Sequence, residues 1–558
     1  MPSKRTIRYA ITLVVVLILT AINALLIKSF DIVGIPILFA AALLFQLWLL
    51  ILLVFSLVIV LHTPLKIAWS IIVSALRGIE KNIYVARVLR RIPFLIPWIE
   101  QRFSIKRPTG LKLTIGSIAF VVFVSLFVLV AQAVITKSVY VGIDQRVINL
   151  MPTIRNGSEN TFFSFFTFAA SYIGILFFIA IVALIGWFRR QRWLPVLFLI
   201  ASSFVVLVSE ILKNSIGRPR PDNSLRELVV SGYSFPSGHT LAAIVIYGLV
   251  AYLLIRYSRS SIAKLLVGVL VVTIVIMVAL SRVYFGVHYP TDVIGSILLG
   301  CAMLAMIVTF LELQRFRSFL KINVSVLKST LIIGLVCLAL FTVLAATHLT
   351  MWQNVASKVS TSPLTSISDT TVSVLPHTSE TLSGAKMEPI NFIYIASDAQ
   401  LENAFKKAGW SIADAPTVSN SLRELLTAGK NQQYLTAPVT PSYLDLKPQT
   451  IAFEKPTTIN TARQRHHTRI WKTQYTVDGQ SVWVGTASLD VGIGVGTRVP
   501  LPTHHIDPNV DTERSYIIQS LGVVNPQYVT IVSPELGRNA SGDGFFTDGR
   551  AVVINLSQ

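Results

Sequence analysis

Nine stretches of this 558-residue chain are apolar for long enough to cross a bilayer, and they exclude a conventional soluble fold for everything up to residue 348. A helix needs about 20 apolar residues to span the hydrocarbon core. The runs at 7–27, 33–62, 113–135, 162–188, 193–212, 240–257, 262–280, 291–311 and 326–348 meet that length. Only 13% of the residues are charged, against about 25% in soluble domains. The first run exceeds the core of a secretory signal, and no small-residue cleavage site follows it, so a retained anchor is expected. The expected fold class is an all-α polytopic membrane helix bundle with a soluble mixed α/β domain after it.

The formal charge of +21 first suggests a nucleic-acid partner, but its distribution argues against one. Residues 390–558 carry 14 basic and 14 acidic side chains, so the whole excess lies in the remainder, with 34 basic and 13 acidic. Excess Lys and Arg on short loops between apolar spans marks the cytoplasmic side of a membrane protein, and it also attracts anionic headgroups. Lys4, Arg5 and Arg8 flank the first run, and nine more Lys and Arg lie in 63–108. Later clusters are Arg189, Arg190 and Arg192; Arg256, Arg259 and Lys264; and Arg315, Arg317 and Lys321. All fall on one side if the nine runs are spans. The stretch 64–103 mixes apolar and basic residues and reads as interfacial helices on that leaflet. An integral protein of a bacterial cytoplasmic membrane is expected, with everything after residue 348 outside. Cys301 and Cys337 both sit inside apolar runs and imply neither a disulfide framework nor a zinc site.

Between 357 and 383, 14 of 27 residues are Ser or Thr, a composition that suggests a flexible linker. Beyond it, 400–408 suits a short helix. The segments 473–477 and 481–484 alternate around Asp478-Gly479, a hairpin signal. Further strand candidates are 528–532 and 551–556. The resulting domain plan is 1–110 with two spans and interfacial helices, 111–312 as a six-helix catalytic region, 313–350 as one more span, 351–389 as linker, and 390–558 as an extracytoplasmic domain.

Three short segments carry chemistry. The first, 213–221, ends an apolar run and contains Lys213 and Arg220, with Pro219 and Pro221 preventing helical continuation. The second, Pro236-Ser237-Gly238-His239, opens the run at 240. There, helix-start N–H groups form an anion site, Ser237 adds a hydroxyl, and Gly238 permits close approach. The third, 281–292, supplies Arg282, His288 and Asp292. Pro290 suits a first helical turn, so Asp292 can accept the Nδ1–H of His288 and leave Nε2 free to attack. Lys213 alone would read as a snorkelling side chain at a helix end, and Ser-Gly-His alone as an ordinary helix cap. Together, three cations, two histidines, a carboxylate and a small-residue turn suit phosphate-ester cleavage without a metal, and the apolar surroundings point to a lipid phosphate. Membrane lipids are the other expected partner, and no cofactor is called for.

The pattern Lys-x6-Arg-Pro, Pro-Ser-Gly-His and Ser-Arg-x5-His-x3-Asp, filled at every position, resembles the type 2 phosphatidic acid phosphatase superfamily over roughly 111–311. Its spacing selects Arg220 over the neighbouring Arg218. The resemblance implies that His288 is the nucleophile of a phosphohistidine mechanism and His239 the general acid. Asp292 then orients His288, and Lys213, Arg220, Ser237, Gly238 and Arg282 bind phosphate. Phosphatidic acid, phosphatidylglycerol phosphate and polyprenyl pyrophosphate all fit. Lipid phosphotransfer at the same site and a non-enzymatic membrane anchor or assembly factor are the rival readings. A vanadium haloperoxidase shares the pocket logic, but nine spans argue against it.

In the C-terminal region, 465–513 resembles the LssY carboxy-terminal domain family, for which no activity follows. Arg465-His466-His467 and His504-His505 with Asp507, Asp511 and Glu513 hold four of the nine histidines. A buried hydrogen-bonded network is the favoured reading, because the spacing matches no defined metal motif. Gly492, Gly494 and Gly496 lack the strand–turn–helix setting of a dinucleotide loop.

Overall fold

A computed structural model describes residues 109–313 and 362–557 except 156, 189–190, 192, 229, 431, 462, 496–501 and 540–541, together with 14, 17–22 and 101–102. The expected spans at 7–27, 33–62 and 326–348, the interfacial stretch 64–103 and Cys337 lie wholly or largely outside these residues. The chain divides into two compact units, the first holding 109–144 and 157–313, the second 145–155 and 362–557.

The helices before residue 313 are α1 Leu111–Ile135, α2 Val139–Ile154, α3 Gly157–Ala169, α4 Tyr172–Phe188, α5 Trp193–Ile216, α6 Gly238–Tyr257, α7 Ser261–Tyr284 and α8 Pro290–Glu312. Five of them, α1, α5, α6, α7 and α8, are long and apolar enough to cross a membrane. The run at 162–188, expected as one span, is instead two helices, α3 and α4, bent by 56°. The described residues therefore hold five candidate spans, or six if this pair counts as one, where the sequence places six of its nine; the other three lie wholly or largely outside the described residues. The break has a local cause. The Ser171 hydroxyl accepts from the Gly174 amide at 3.1 Å, and a Cβ at Gly174 would lie 2.1 Å from the Phe168 carbonyl oxygen. A polar cap and a close backbone approach thus restart the helix.

The first unit packs around Phe127, Phe198, Phe235, Leu241, Val245 and Leu249. Small residues let α6 and α8 approach closely: a Cβ on Gly300 would meet Ile244 at 2.9 Å, and one on Gly295 would meet the Phe235 ring at 2.7 Å. Ile118, Leu129, Ile200, Leu207, Leu266 and Leu270 point outward, each more than half exposed. An apolar exterior of this kind suits lipid.

The second unit is built on a nine-stranded sheet. Its strands are β1 Ser362–Leu364, β2 Phe392–Ile395, β3 Ser411–Ile412, β4 Ile451–Thr461, β5 Gln464–Val477, β6 Gln480–Val495, β7 Pro502–Ile506, β8 Gln527–Thr530 and β9 Arg550–Asn555. The order is β8-β9-β2-β6-β5-β4-β3, with β1 beside β5 and β7 beside β6. Alternate residues feed two cores: Phe392, Tyr394, Ile470 and Trp483 on one face, and Ile393, Ile395, Trp471 and Val484 on the other. Helices α9 Asp398–Lys407, α10 Val418–Gly429 and α11 Val510–Ser520 belong to the same unit. The Asp478-Gly479 hairpin forms as expected. Val477 pairs with Gln480, and both turn residues have positive φ, 49° and 76°, as a two-residue primed turn requires.

The linker reading fails from residue 362 onward. Ser362–Leu364 pairs in parallel with Tyr475–Val477, and Val372 and Leu375 are 3% exposed within the core. The hydroxyls bond locally: the Ser368 amide donates to the Thr371 hydroxyl at 2.8 Å, which donates to the Ser366 carbonyl at 2.9 Å. Ser and Thr can build turns in this way, and the interspersed Val and Leu anchor them.

Candidate active site

Helix α5 stops at Gly217, whose φ of +66° supplies the left-handed residue of a C-terminal cap. Its amide bonds back to the Lys213 carbonyl at 2.9 Å. The stop therefore comes before the prolines that the sequence suggested. Lys213 lies in the last turn of α5 and pairs with Glu210 at 2.7 Å. A Cβ on Gly238 would come 3.8 Å from the Lys213 ammonium nitrogen and 3.4 Å from the Ser209 hydroxyl oxygen, so a bare glycine keeps this approach open.

Ser237 is the N-cap of α6 and is fully buried. Its amide donates to the Ser296 hydroxyl at 2.7 Å, and that hydroxyl donates to the Asp292 carbonyl at 2.7 Å. The small-residue turn is thus fastened to the helix that carries Asp292. The Thr240 hydroxyl donates to Ser237 at 3.1 Å. His239 lies in the first turn of α6, within electrostatic reach of Arg282, His288, Lys213 and Arg220.

The third segment turns sharply after α7. Gly286, at φ +68°, lets the chain fold back, so that the amides of Val287 and His288 both point at the Arg282 carbonyl, at 3.2 and 3.3 Å. His288 is 2% exposed. Its Nδ1 lies 3.3 Å from Asp292 Oδ2, and its Nε2 lies 3.3 Å from Arg220 Nη1. Burial, reinforced by Arg220, Arg282 and Lys213, holds this imidazole well below its ordinary pKa. Arg220 also donates to the carbonyls of Val287, Ser231 and Gly232 at 2.9, 3.2 and 3.1 Å. Arg282, 2% exposed, donates to the Thr167 hydroxyl at 3.3 Å. Among the described residues no carboxylate forms an ion pair with it.

All eight residues expected from the sequence therefore lie on three converging segments. The sequence did not single out their supports, Asp144, Thr167, Thr291 and Ser296. Arg218, set aside by spacing, bridges Asp292 and Asp144 and stacks over the Tyr289 ring at 4.1 Å. One signal was available: Asp144 is the only Asp between residues 32 and 221, and a carboxylate among apolar spans marks a site by default.

The C-terminal cluster is a network of paired charges. Arg465 meets Glu424, Glu454 and Asp490 at 2.9, 2.8 and 3.3 Å. His467 Nε2 lies 2.9 Å from the Ser488 hydroxyl, and His504 Nδ1 lies 3.2 Å from Asp490. His466 pairs with Glu513 at 2.9 Å and stacks on Tyr516. His505 pairs with Asp543 at 2.6 Å. Burial holds His504 down to about 4, partly offset by Asp490. Among the described residues no three His, Cys, Asp or Glu side chains are grouped so as to hold a metal.

Comparison with known proteins follows this division. The PAP2 superfamily profile matches residues 192–316, and the LssY C-terminus profile matches 372–551. The chain is 32% identical over 195 residues to phosphatidylglycerophosphatase B of Bacillus subtilis, covering 34% of this chain and 95% of that protein. It is 35% identical over 127 residues to an undecaprenyl-diphosphatase of Sulfolobus acidocaldarius, covering 22% of this chain and 57% of the relative. A crystal structure of a transmembrane PAP2-type phosphatidylglycerolphosphate phosphatase from Bacillus subtilis aligns with 34% of this chain and 94% of its own, at 30% identity and a TM-score of 0.33.

Proposed function

The chain belongs to the PAP2 superfamily of phosphatases, and on that premise we propose that it hydrolyses a lipid phosphomonoester or pyrophosphate through a phosphohistidine on His288. The observation that carries this reading is the placement of His288. Its Nδ1 faces Asp292 and its Nε2 faces the Arg220 guanidinium. A carboxylate on Nδ1 fixes the tautomer whose Nε2 lone pair is free. A phosphoryl group held by Arg220 would then sit in front of that lone pair.

In the proposed reaction Lys213, Arg220, Arg282, the Ser237 hydroxyl and the backbone at Gly238 hold the phosphoryl oxygens. His288 Nε2 attacks phosphorus as the bond to the lipid oxygen breaks, and His239 donates a proton to that oxygen. Water then attacks the phosphohistidine and gives its proton to His239. The reaction needs positioning and charge neutralisation more than covalent chemistry from the protein, and the cations supply both.

The named relatives differ in their lipid, from phosphatidylglycerophosphate to undecaprenyl diphosphate, sphingosine-1-phosphate and lipid A. What they share is a phosphate on a lipid, and that class is the proposal here. The basic-loop pattern supports an active site and C-terminal region on the external face of a bacterial cytoplasmic membrane. Purified protein should release inorganic phosphate from at least one member of a panel of phosphatidic acid, phosphatidylglycerol phosphate and a polyprenyl pyrophosphate. Vanadate should inhibit, and strong chelation should not. Transfer of the phosphoryl group to an added lipid alcohol, without release of phosphate, would replace hydrolysis by phosphotransfer. Loss of activity in chelator with recovery on a divalent ion would reject the metal-free mechanism.

A further inference from the structure

Behind the proposed nucleophile stands a second buried carboxylate with no role in the reaction just described. Asp144, on α2, is 1% exposed. One of its oxygens accepts the Thr291 amide at 2.9 Å. The other accepts the Thr291 hydroxyl and the Arg218 Nη2 at 2.7 Å. Arg218 in turn uses Nη1 on Asp292 Oδ1 and on the Thr291 hydroxyl at 2.8 Å. Asp292 Oδ2 accepts the Tyr289 amide at 2.9 Å and faces His288 Nδ1. The result is a continuous line, Asp144–Arg218–Asp292–His288, crossing from α2 through the loop after α5 to the start of α8.

Each link has a physical reason. A lone Asp292 carboxylate, fully buried, would gain by neutralising itself with a proton. The ion pair with Arg218 opposes that. Yet an Arg218 paired with Asp292 alone could draw that carboxylate away from the imidazole. Asp144 takes the other edge of the guanidinium, and Thr291 ties Asp144 to the first turn of α8 itself. The guanidinium is planar with fixed donors, so holding one edge fixes the direction of the other. Asp292 then keeps Oδ1 on Arg218 and leaves Oδ2 for the Tyr289 amide and His288.

We propose that Asp144 is a positioning residue for catalysis, acting through Arg218 to hold the Asp292 carboxylate against His288. The proposal rests on His288 being the nucleophile. Asp144 touches neither the phosphate cations nor the turn at Ser237, so its effect should fall on turnover and not on binding.

The test is a cycle of Asp144→Asn and Asp292→Asn in the full-length protein, with kcat and KM measured on a lipid phosphate and folding checked by thermal unfolding. Asp144→Asn should lower kcat roughly 10- to 100-fold, the scale of a small misplacement of a reacting group, with KM within about 3-fold. Asp144→Glu should recover part of the loss. In the Asp292→Asn background the same Asp144→Asn change should cost less than about 3-fold, because the carboxylate it positions is already gone. Additive losses, wild-type kcat in Asp144→Asn, or an effect on KM alone would each overturn the proposal. If Asp144→Asn does not fold, Thr291→Val takes its place in the cycle: it removes one donor to Asp144 and should lower kcat several-fold, again only while Asp292 is present. His288→Ala separates the two levels. If it retains turnover, the phosphohistidine reading falls. If it is dead while Asp144→Asn is wild type, only the positioning role falls.

Discussion

Arg282 in the membrane unit and Arg465 in the C-terminal unit are both nearly sealed from solvent, at 2% and 6% exposure, but their surroundings are opposite. Arg465 meets three carboxylates. Arg282 meets a Thr hydroxyl, a buried Nε without a partner, and no carboxylate among the described residues. Taking a charge out of water costs several kcal/mol even after relaxation. Arg465 recovers that cost inside the fold. Arg282 finds no carboxylate among the described residues, and the proposed role in holding a phosphoryl group would supply the missing negative charge. Arg218, a short distance along the same unit, behaves like Arg465: it is held between Asp144 and Asp292. The contrast therefore separates cations paired with carboxylates inside the fold from one with no carboxylate among the described residues, and it does so within one unit as well as between two.

The largest effects should come from the two histidines. His288→Ala should lose turnover on every substrate. His239→Ala should lose about 10²–10⁴-fold on a lipid phosphomonoester, the usual scale for acid–base catalysis. On a nitrophenyl phosphate the His239→Ala loss should be far smaller, because that leaving group departs without a proton. The ratio of kcat/KM values on the two substrates decides. Equal losses on both would remove His239 from the acid role.

The Arg282–Arg465 contrast predicts a crossed outcome. Arg282→Gln should cost roughly 10²–10³ in kcat, as for loss of one donor to a developing oxyanion, while leaving the unfolding temperature unchanged or raised. Arg465→Gln removes the cation shared by Glu424, Glu454 and Asp490, and should destabilise by about 3–5 kcal/mol with kcat of the folded fraction unchanged. Paired kinetics and unfolding curves test both at once. If Arg282→Gln unfolds the protein and Arg465→Gln kills a folded enzyme, the distinction drawn here is reversed.

How much of this was legible in the sequence follows from the range of each interaction. Lys213, Arg220, Ser237, Gly238, Arg282, His288 and Asp292 sit in short segments whose local rules carry over: a helix end, a helix start, an i,i+4 pair. The hairpin at Asp478-Gly479 was readable for the same reason. What was not readable depended on partners far away in the chain. Asp144 reaches Arg218 and Thr291 across 74 and 147 positions, and no local pattern announces that. The break between α3 and α4 was hidden because hydropathy alone does not distinguish a straight apolar helix from a bent one. The Ser/Thr-rich stretch misled because composition suggests disorder, while Val372 and Leu375 supply the few apolar anchors that fix it in the core.

The smallest expected effect sharpens the comparison from the histidine side. His288 and His504 are both held below the ordinary imidazole pKa by burial, but His288 lies between Asp292 and the Arg220 guanidinium while His504 Nδ1 faces Asp490. His504 titrates near 4 in the folded protein, against about 6.5 in an unfolded chain. Between those values the unfolded state binds the extra proton, so stability of the C-terminal unit should fall as pH drops from about 6.5 toward 4, and His504 should add no pH dependence above that window. A quarter of the His504 side chain remains exposed, which keeps the slope shallower than the single-proton limit of about 1.4 kcal/mol per pH unit. Hydrogen exchange of the β5 and β6 amides in the full-length protein, followed from pH 7 to 4.5 and corrected for intrinsic rates, should report this loss. His504→Gln should flatten the curve without changing turnover at pH 7. An unchanged slope in His504→Gln would show that its burial is not what makes this unit acid-sensitive, and would leave Asp490 held by Arg465 and His467 alone.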